Sequence, residues 1–192
     1  VARLRNQAGI TEAAQVDSIC QALAVLRPLV PIRVVAQLSQ SSQSAIRSFI
    51  LDFGRPLLLK GDSVHFIDEP AETWFRERFL PDPAGLAKFV DRLRPLAADS
   101  SYVAAALPQI MLQAGMLKEL VDLALSGESL PVQNPLARRD VELQRVTFAL
   151  KACLQQGLYV PATKLALKAG GESAGEQRQN NLIQQNTDLA AT

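Results

Sequence analysis

The sequence predicts a mainly α-helical chain in which one β-hairpin interrupts the helices. Three observations point there. Ala and Leu dominate while aromatics make up only 5%, a balance that favours helix over sheet. Within Pro56–Phe66, two short β-prone runs flank the turn Gly61-Asp62, which is a hairpin signal. Three helical segments precede that hairpin, and almost everything after it has helical periodicity. A lone hairpin is not stable by itself and must pack on the helices before it. Three helices carrying a two-stranded wing is the winged-helix pattern, expected over residues 11–80.

The elements follow in order. Residues 1–10 are polar and end near Gly9, as the tail of an upstream element. From Thr11, Glu12 and Asp17 the chain enters a helix with Val16, Ile19, Cys20, Leu23 and Leu26 on one face, stopped by Pro28. Pro31 starts a second, short helix with Ile32, Val34, Val35 and Leu38, since Pro is tolerated at a first helical position. Ser39–Ser42 form a polar turn, and one of these serines caps the third helix. That helix carries Ala45, Ile46, Phe49, Ile50 and Phe53 and ends at Gly54. After the hairpin, Asp68, Glu69 and Pro70 begin a helix whose apolar face is Trp74, Phe75, Phe79 and Leu80. Arg76, Glu77 and Arg78 read as its solvated face. Pro81-Asp82-Pro83 breaks the chain and sets a domain boundary.

Beyond that break, helices are expected at 84–98, 100–114, 116–126, 137–156, 159–169 and 173–190, with short connections that make neighbours antiparallel. An internal repeat runs through them. Leu112-Gln113-Ala114-Gly115 matches Leu154-Gln155-Gln156-Gly157, and Leu123-Ala124-Leu125 matches Leu165-Ala166-Leu167, both offset by 42 residues. Gly127-Glu128-Ser129 recurs, slightly out of phase, as Gly171-Glu172-Ser173. Two helices per unit at such a period is the mark of a helical solenoid of TPR or HEAT type, here the start of a repeat domain over 84–192. Further repeats are expected beyond Thr192, and the start at Val1 reads as that of an excised piece of a longer protein.

Composition narrows the function. Net charge is +1, from 20 basic and 19 acidic residues, which is thin for a chain that holds nucleic acid along its length. No run of apolar residues is long enough for a membrane span. With no signal-peptide pattern either, a cytoplasmic location is expected. Cys20 and Cys153 lie among apolar helical neighbours as buried thiols; two cysteines and one histidine make a disulfide or metal pair improbable. No Walker A sequence is present, because Lys60-Gly61-Asp62-Ser63 has the wrong order and sits in a hairpin. His65 alternates with Val64 and Phe66 and so belongs on the wetter face of the wing, as a surface residue before a nucleotide contact or a base. Asp68, Glu69 and Glu72 favour a helix N-terminus through the dipole. In a DNA-reading alternative, Gln43 and Arg47 of the third helix would meet base edges, with Arg55 and Lys60 on phosphates. Asp52, Asp62 and the acidic cluster oppose that reading, so DNA is disfavoured.

The order of parts resembles the STAND NTPases, the signal-transduction group that includes NACHT and apoptotic-type ATPases and bacterial antiviral sensors. Val64-His65-Phe66-Ile67-Asp68-Glu69-Pro70-Ala71-Glu72-Thr73-Trp74-Phe75 looks like the wing strand and following helix of the bacterial branch. Asp140–Arg145 through Ala149-Leu150-Lys151 is similar to its early repeat helices. The resemblance implies a nucleotide-switched sensor whose ATPase core, with ATP or ADP and Mg, lies upstream. This piece would itself hold no cofactor and carry no enzyme activity. It would couple target recognition on the repeats to opening and oligomerisation of that core, with its own NTPase domain and a protein target as partners and no membrane. In the family, a Met-His-Asp-like motif after the wing contacts bound ADP. By position its His falls at Asp68 and its Asp at Glu69, so the chain departs from the pattern at the histidine. An aspartate repels phosphate, which leaves Asp68 and Glu69 to cap the helix or pair with a basic residue of the core; His65 is too early to substitute. A helical scaffold with no nucleotide link is the remaining alternative.

Overall fold

A computed structural model describes residues 10–131, 134–171 and 174–175. Helix α1 (Ile10–Val25) leads into a two-residue strand β1 (Val30–Pro31), then α2 (Ile32–Ser39) and α3 (Gln43–Phe53). The hairpin strands β2 (Leu57–Lys60) and β3 (Ser63–Phe66) follow, then α4 (Glu69–Phe79) and α5 (Pro83–Leu93) with a 3-10 turn at Arg94–Leu96. Helices α6 (Ser101–Gln113), α7 (Leu117–Ser126) and α8 (Pro135–Gln155) complete the named elements, and a further helix, α9, covers 159–171.

Hairpin register is Leu57↔Phe66, Leu58↔His65, Leu59↔Val64 and Lys60↔Ser63, with Gly61 in the left-handed conformation such a two-residue turn requires. The sheet differs from the expected two-stranded wing. Val30 pairs with Val64 and Pro31 with Ser63, giving a three-stranded antiparallel sheet in the order β1-β3-β2. Periodicity cannot reveal a two-residue strand, and its second residue, Pro31, is tolerable only on an edge.

Local chemistry sets the helix ends. Ser42 accepts from the Ala45 amide at the start of α3, and Gly54 closes its end. Asp68 Oδ1 accepts from the Ala71 amide at 2.8 Å, with Pro70 in the first turn of α4. Asp82 caps α5 through the Gly85 amide at 2.7 Å. Helix α1 is buried on nearly every side over Ile19–Leu26, as befits a central helix packed by α2 and α4. Phe75 joins α4 to the hairpin and α3: its ring lies 5.2 Å from Phe66, 5.8 Å from Phe53 and 4.8 Å from Phe79. Trp74 and Leu80, expected on that apolar face, are exposed instead.

The chain break at Leu80–Asp82 is where the sequence places it, but one buried apolar cluster runs across it, from Ile19 to Leu165. Helix α5 packs on α2, and Arg92 Nη1 donates to the Leu38 carbonyl, capping the end of α2 at 2.8 Å. Downstream, α6 packs on α5, and α8 lies against both α6 and α7. The matched sequences fall at matched places. Gly115 and Gly157 end α6 and α8 at φ 73° and 67°, and the Leu-Ala-Leu runs lie in α7 and α9. Most of the expected helix 173–190 lies outside the described residues, as do Glu172 and Ser173.

Candidate coupling site at the end of α1

The last turn of α1 needs partners for carbonyls that have no helical donor. The sequence offers none nearby, because Arg27-Pro28-Leu29 turns the chain at once, with Leu29 at φ 64°. The partners come from both halves of the molecule. Arg76 of α4 donates from Nη1 to the Ala24 carbonyl at 3.0 Å and from Nη2 to the Leu26 carbonyl at 2.6 Å. Glu72, one turn earlier, holds its Nε at 2.8 Å and aims the fork. The Tyr102 hydroxyl of α6 donates to the Arg27 carbonyl at 2.6 Å. Burial pushes the Tyr102 phenol well above its ordinary value, against the pull of Arg76 and Arg27. It is therefore a neutral donor at any physiological pH.

The Arg27 side chain reaches the other way. Its Nε donates to Gln109 Oε1 of α6 at 3.1 Å and its Nη1 to Gln144 Oε1 of α8 at 3.4 Å. The guanidinium also sits 5.8 Å from the Phe148 ring centroid. Residues 24–31 thus touch α4, α6 and α8 and continue into β1, which is laddered to β3. Arg27 is thus held by both α6 and α8, and β1 is the next segment along the chain.

A second guanidinium ties α8 to the loop after α7. Arg145 of α8 is buried and donates to the carbonyls of Glu128 and, at 2.7 Å, Ser129, tying down the loop after α7. Desolvation pulls its pKa down to about 10 while Glu142 opposes, so it stays charged at neutral pH. Lys168 of α9 donates to the Ala124 carbonyl at 2.8 Å and pairs with Glu142 at 2.9 Å.

The residues singled out by sequence do not converge on this junction. His65 is half-buried on β3 opposite Leu58, with Nδ1 3.2 Å from the Phe66 carbonyl oxygen. Asp68 is spent as the cap of α4, and Glu69 lies exposed in its first turn. Gln43 is exposed at the start of α3, while Arg47 is paired to Asp62 of the hairpin turn at 2.5 Å. Both cysteines are buried, and no acid, histidine or cysteine cluster among the described residues could hold a metal ion. None of the described helices is long and apolar enough to cross a membrane.

Sequence reasoning placed Arg76 on a solvated face and gave Arg27 and Tyr102 no role. Glu72 four residues before Arg76 was the one available signal, because that spacing fixes an arginine fork. Nothing local marks Arg27, whose partners lie 82 and 117 residues away. No protein-family model matches the chain, and no curated protein matches it.

Proposed function

We propose that this chain is the regulatory and sensing part of a nucleotide-switched signal-transduction ATPase of the STAND type. A winged helix would carry the switch and a solenoid of helical repeats would receive the target. The observation that supports this most is the order α1-β1-α2-α3-β2-β3 with sheet order β1-β3-β2, followed after α4 and α5 by helix pairs matched at a 42-residue offset. The arginine-held junction supplies a route between the two parts. In this reading the winged helix favours the closed, nucleotide-bound core, and a target on the repeats favours the open one. A ligand shifts such a balance only by its differential affinity for the two states. The nucleotide and Mg belong to the upstream core, and the part described here binds neither.

The DNA-reading alternative is weakened by the Arg47–Asp62 pair, which turns the best base reader of α3 toward the wing. The test is the parent polypeptide. The reading requires a P-loop and a Walker B acid ahead of Val1, and target-dependent ATP turnover by the whole protein. A parent without a P-loop, or one that shifts DNA with a steep salt dependence, contradicts it.

A further inference from the structure

The sheet β1-β3-β2 has two outer strands, and they are built differently. Strand β1 is two residues long, and its second residue, Pro31, has no N–H to offer a further strand. Short length and proline are ordinary guards of a sheet edge. Strand β2 has neither guard. Leu57-Leu58-Leu59-Lys60 pairs with β3 in unbroken register, without a proline or a bulge.

The register says which backbone groups the β2 edge presents. The Ile67 N–H donates to the Pro56 carbonyl at 3.1 Å. Bonded positions alternate along an antiparallel pair, so Pro56, Leu58 and Lys60 turn their backbone groups to β3. Leu57 and Leu59 turn theirs outward. The Leu57 N–H is taken by the Gly54 carbonyl at 3.2 Å. The Leu57 carbonyl and both backbone groups of Leu59 bond to nothing among the described residues. The chain on either side of this strand is described throughout.

Charge says what kind of strand fits. Arg55 and Lys60 stand at the two ends of the edge, both exposed, and their side chains bond to nothing among the described residues. Asp62, the nearest acid to Lys60 along the chain, is committed to Arg47. On the outer face Leu58 is 40% exposed and Ile67, two residues beyond its partner His65, is 52% exposed. The edge is thus a row with an apolar middle and a cation at each end. A second copy of the chain matches it poorly. Paired antiparallel about Leu58, the copy would set its Lys60 opposite Pro56 and beside Arg55 at both ends, a like-charge contact. The chain outside the described residues matches no better. Residues 1–9 hold Arg3 and Arg5 and no acid, and residues 176–192 hold no apolar run with an acid at each end.

We propose that β2 takes an extended segment of a partner protein as a fourth strand. That segment has an apolar, β-prone middle that covers Leu58, and an acid at each end to meet Arg55 and Lys60. Backbone bonds to Leu57 and Leu59 hold it, and the two cations select it. The inference stands on the sheet alone and needs neither an upstream ATPase nor the repeats.

Amide hydrogen exchange on the full chain reads the edge directly. In the chain alone, the Leu59 amide should exchange at least tenfold faster than that of Leu58. A designed peptide of about seven residues, with valine and threonine between terminal glutamates, should slow Leu59 at least tenfold at saturation. A twin with lysines in place of the glutamates should bind at least tenfold more weakly. The double variant Arg55→Glu, Lys60→Glu should lose the glutamate peptide by a similar factor. Both positions are exposed, so the variant should keep the wild-type circular dichroism. A Leu59 amide already as protected as Leu58 in the chain alone would mean that a terminus or a second copy covers the edge, and would overturn the proposal. Binding that leaves Leu59 exchange unchanged would reduce the edge to an apolar patch, with the same consequence. Equal binding of the twins, or none by either, would also overturn it.

Discussion

The Tyr102 hydroxyl of α6 donates to the Arg27 carbonyl at 2.6 Å, so a helix of the second half closes the end of the first described helix. That acceptor is left without a partner if the phenol is removed. Tyr102→Phe should cost about 1–2 kcal/mol, the penalty of an unsatisfied buried acceptor. Urea unfolding of the full chain measures it as a lower midpoint with an unchanged slope.

The same phenol makes a pH prediction. Its folded pKa is raised above the unfolded value of 10.0, so the stability it contributes is whole below pH 10. Above that the unfolded chain releases the proton first, and stability falls as pH rises. Tyr159→Phe leaves Tyr102 as the one tyrosine of two. In that variant tyrosinate absorbance should stay absent past pH 10 and rise together with the loss of helix. A rise centred at pH 10 in a chain that is still folded would contradict the buried geometry.

Arg76 serves two carbonyls and one carboxylate. Arg76→Ala should cost about 2–3 kcal/mol, because charge-assisted bonds are lost at a half-buried helix end. Glu72→Gln only loosens the aim of the fork and should cost under about 1 kcal/mol. Thermal unfolding of the two variants ranks them, and equal losses would mean the Arg76 fork caps nothing.

The exposed Arg47–Asp62 pair should behave oppositely. Its exposure predicts under about 1 kcal/mol on Asp62→Ala. The same change releases Arg47 from the hairpin turn. A gel shift with random-sequence duplex should stay negative in the variant. A shift that Asp62→Ala creates and Arg47→Ala removes would revive α3 as a DNA reader.

Gly115 and Gly157 have left-handed backbones with open space where a Cβ would go. Gly115→Ala and Gly157→Ala should therefore each cost about 1–2 kcal/mol of backbone strain alone. Similar values from urea titrations would support two copies of one turn. A loss at one position and none at the other would argue against the repeat.

Local signals made most elements readable. Pro31, Ser42, Gly54, Asp68 and Pro81-Asp82-Pro83 each act on the backbone within a few residues, and each marks an observed boundary. Strand β1 was hidden because two residues carry no period, and its partner Val64 lies 34 positions away. Trp74 and Leu80 were misread because helical spacing does not say how wide the covered face of α4 is. The junction was hidden for a further reason. Arg27, Arg76 and Tyr102 gain their roles from carbonyls that only the folded chain brings near. The candidate residues that sequence did mark, His65, Asp68, Glu69, Gln43 and Arg47, lie on β3, the start of α4 and α3, apart from it.

The central claim is that residues 24–31 link helices α6 and α8 to the sheet. Amide hydrogen exchange on the full chain, compared between the wild type and Arg27→Ala, tests it most directly. Faster exchange should be seen at Val30, Val64 and Phe66 in β1 and β3, with Ile46 and Phe49 of α3 unchanged. Faster exchange confined to α6 and α8, with the sheet amides as protected as before, would contradict the link.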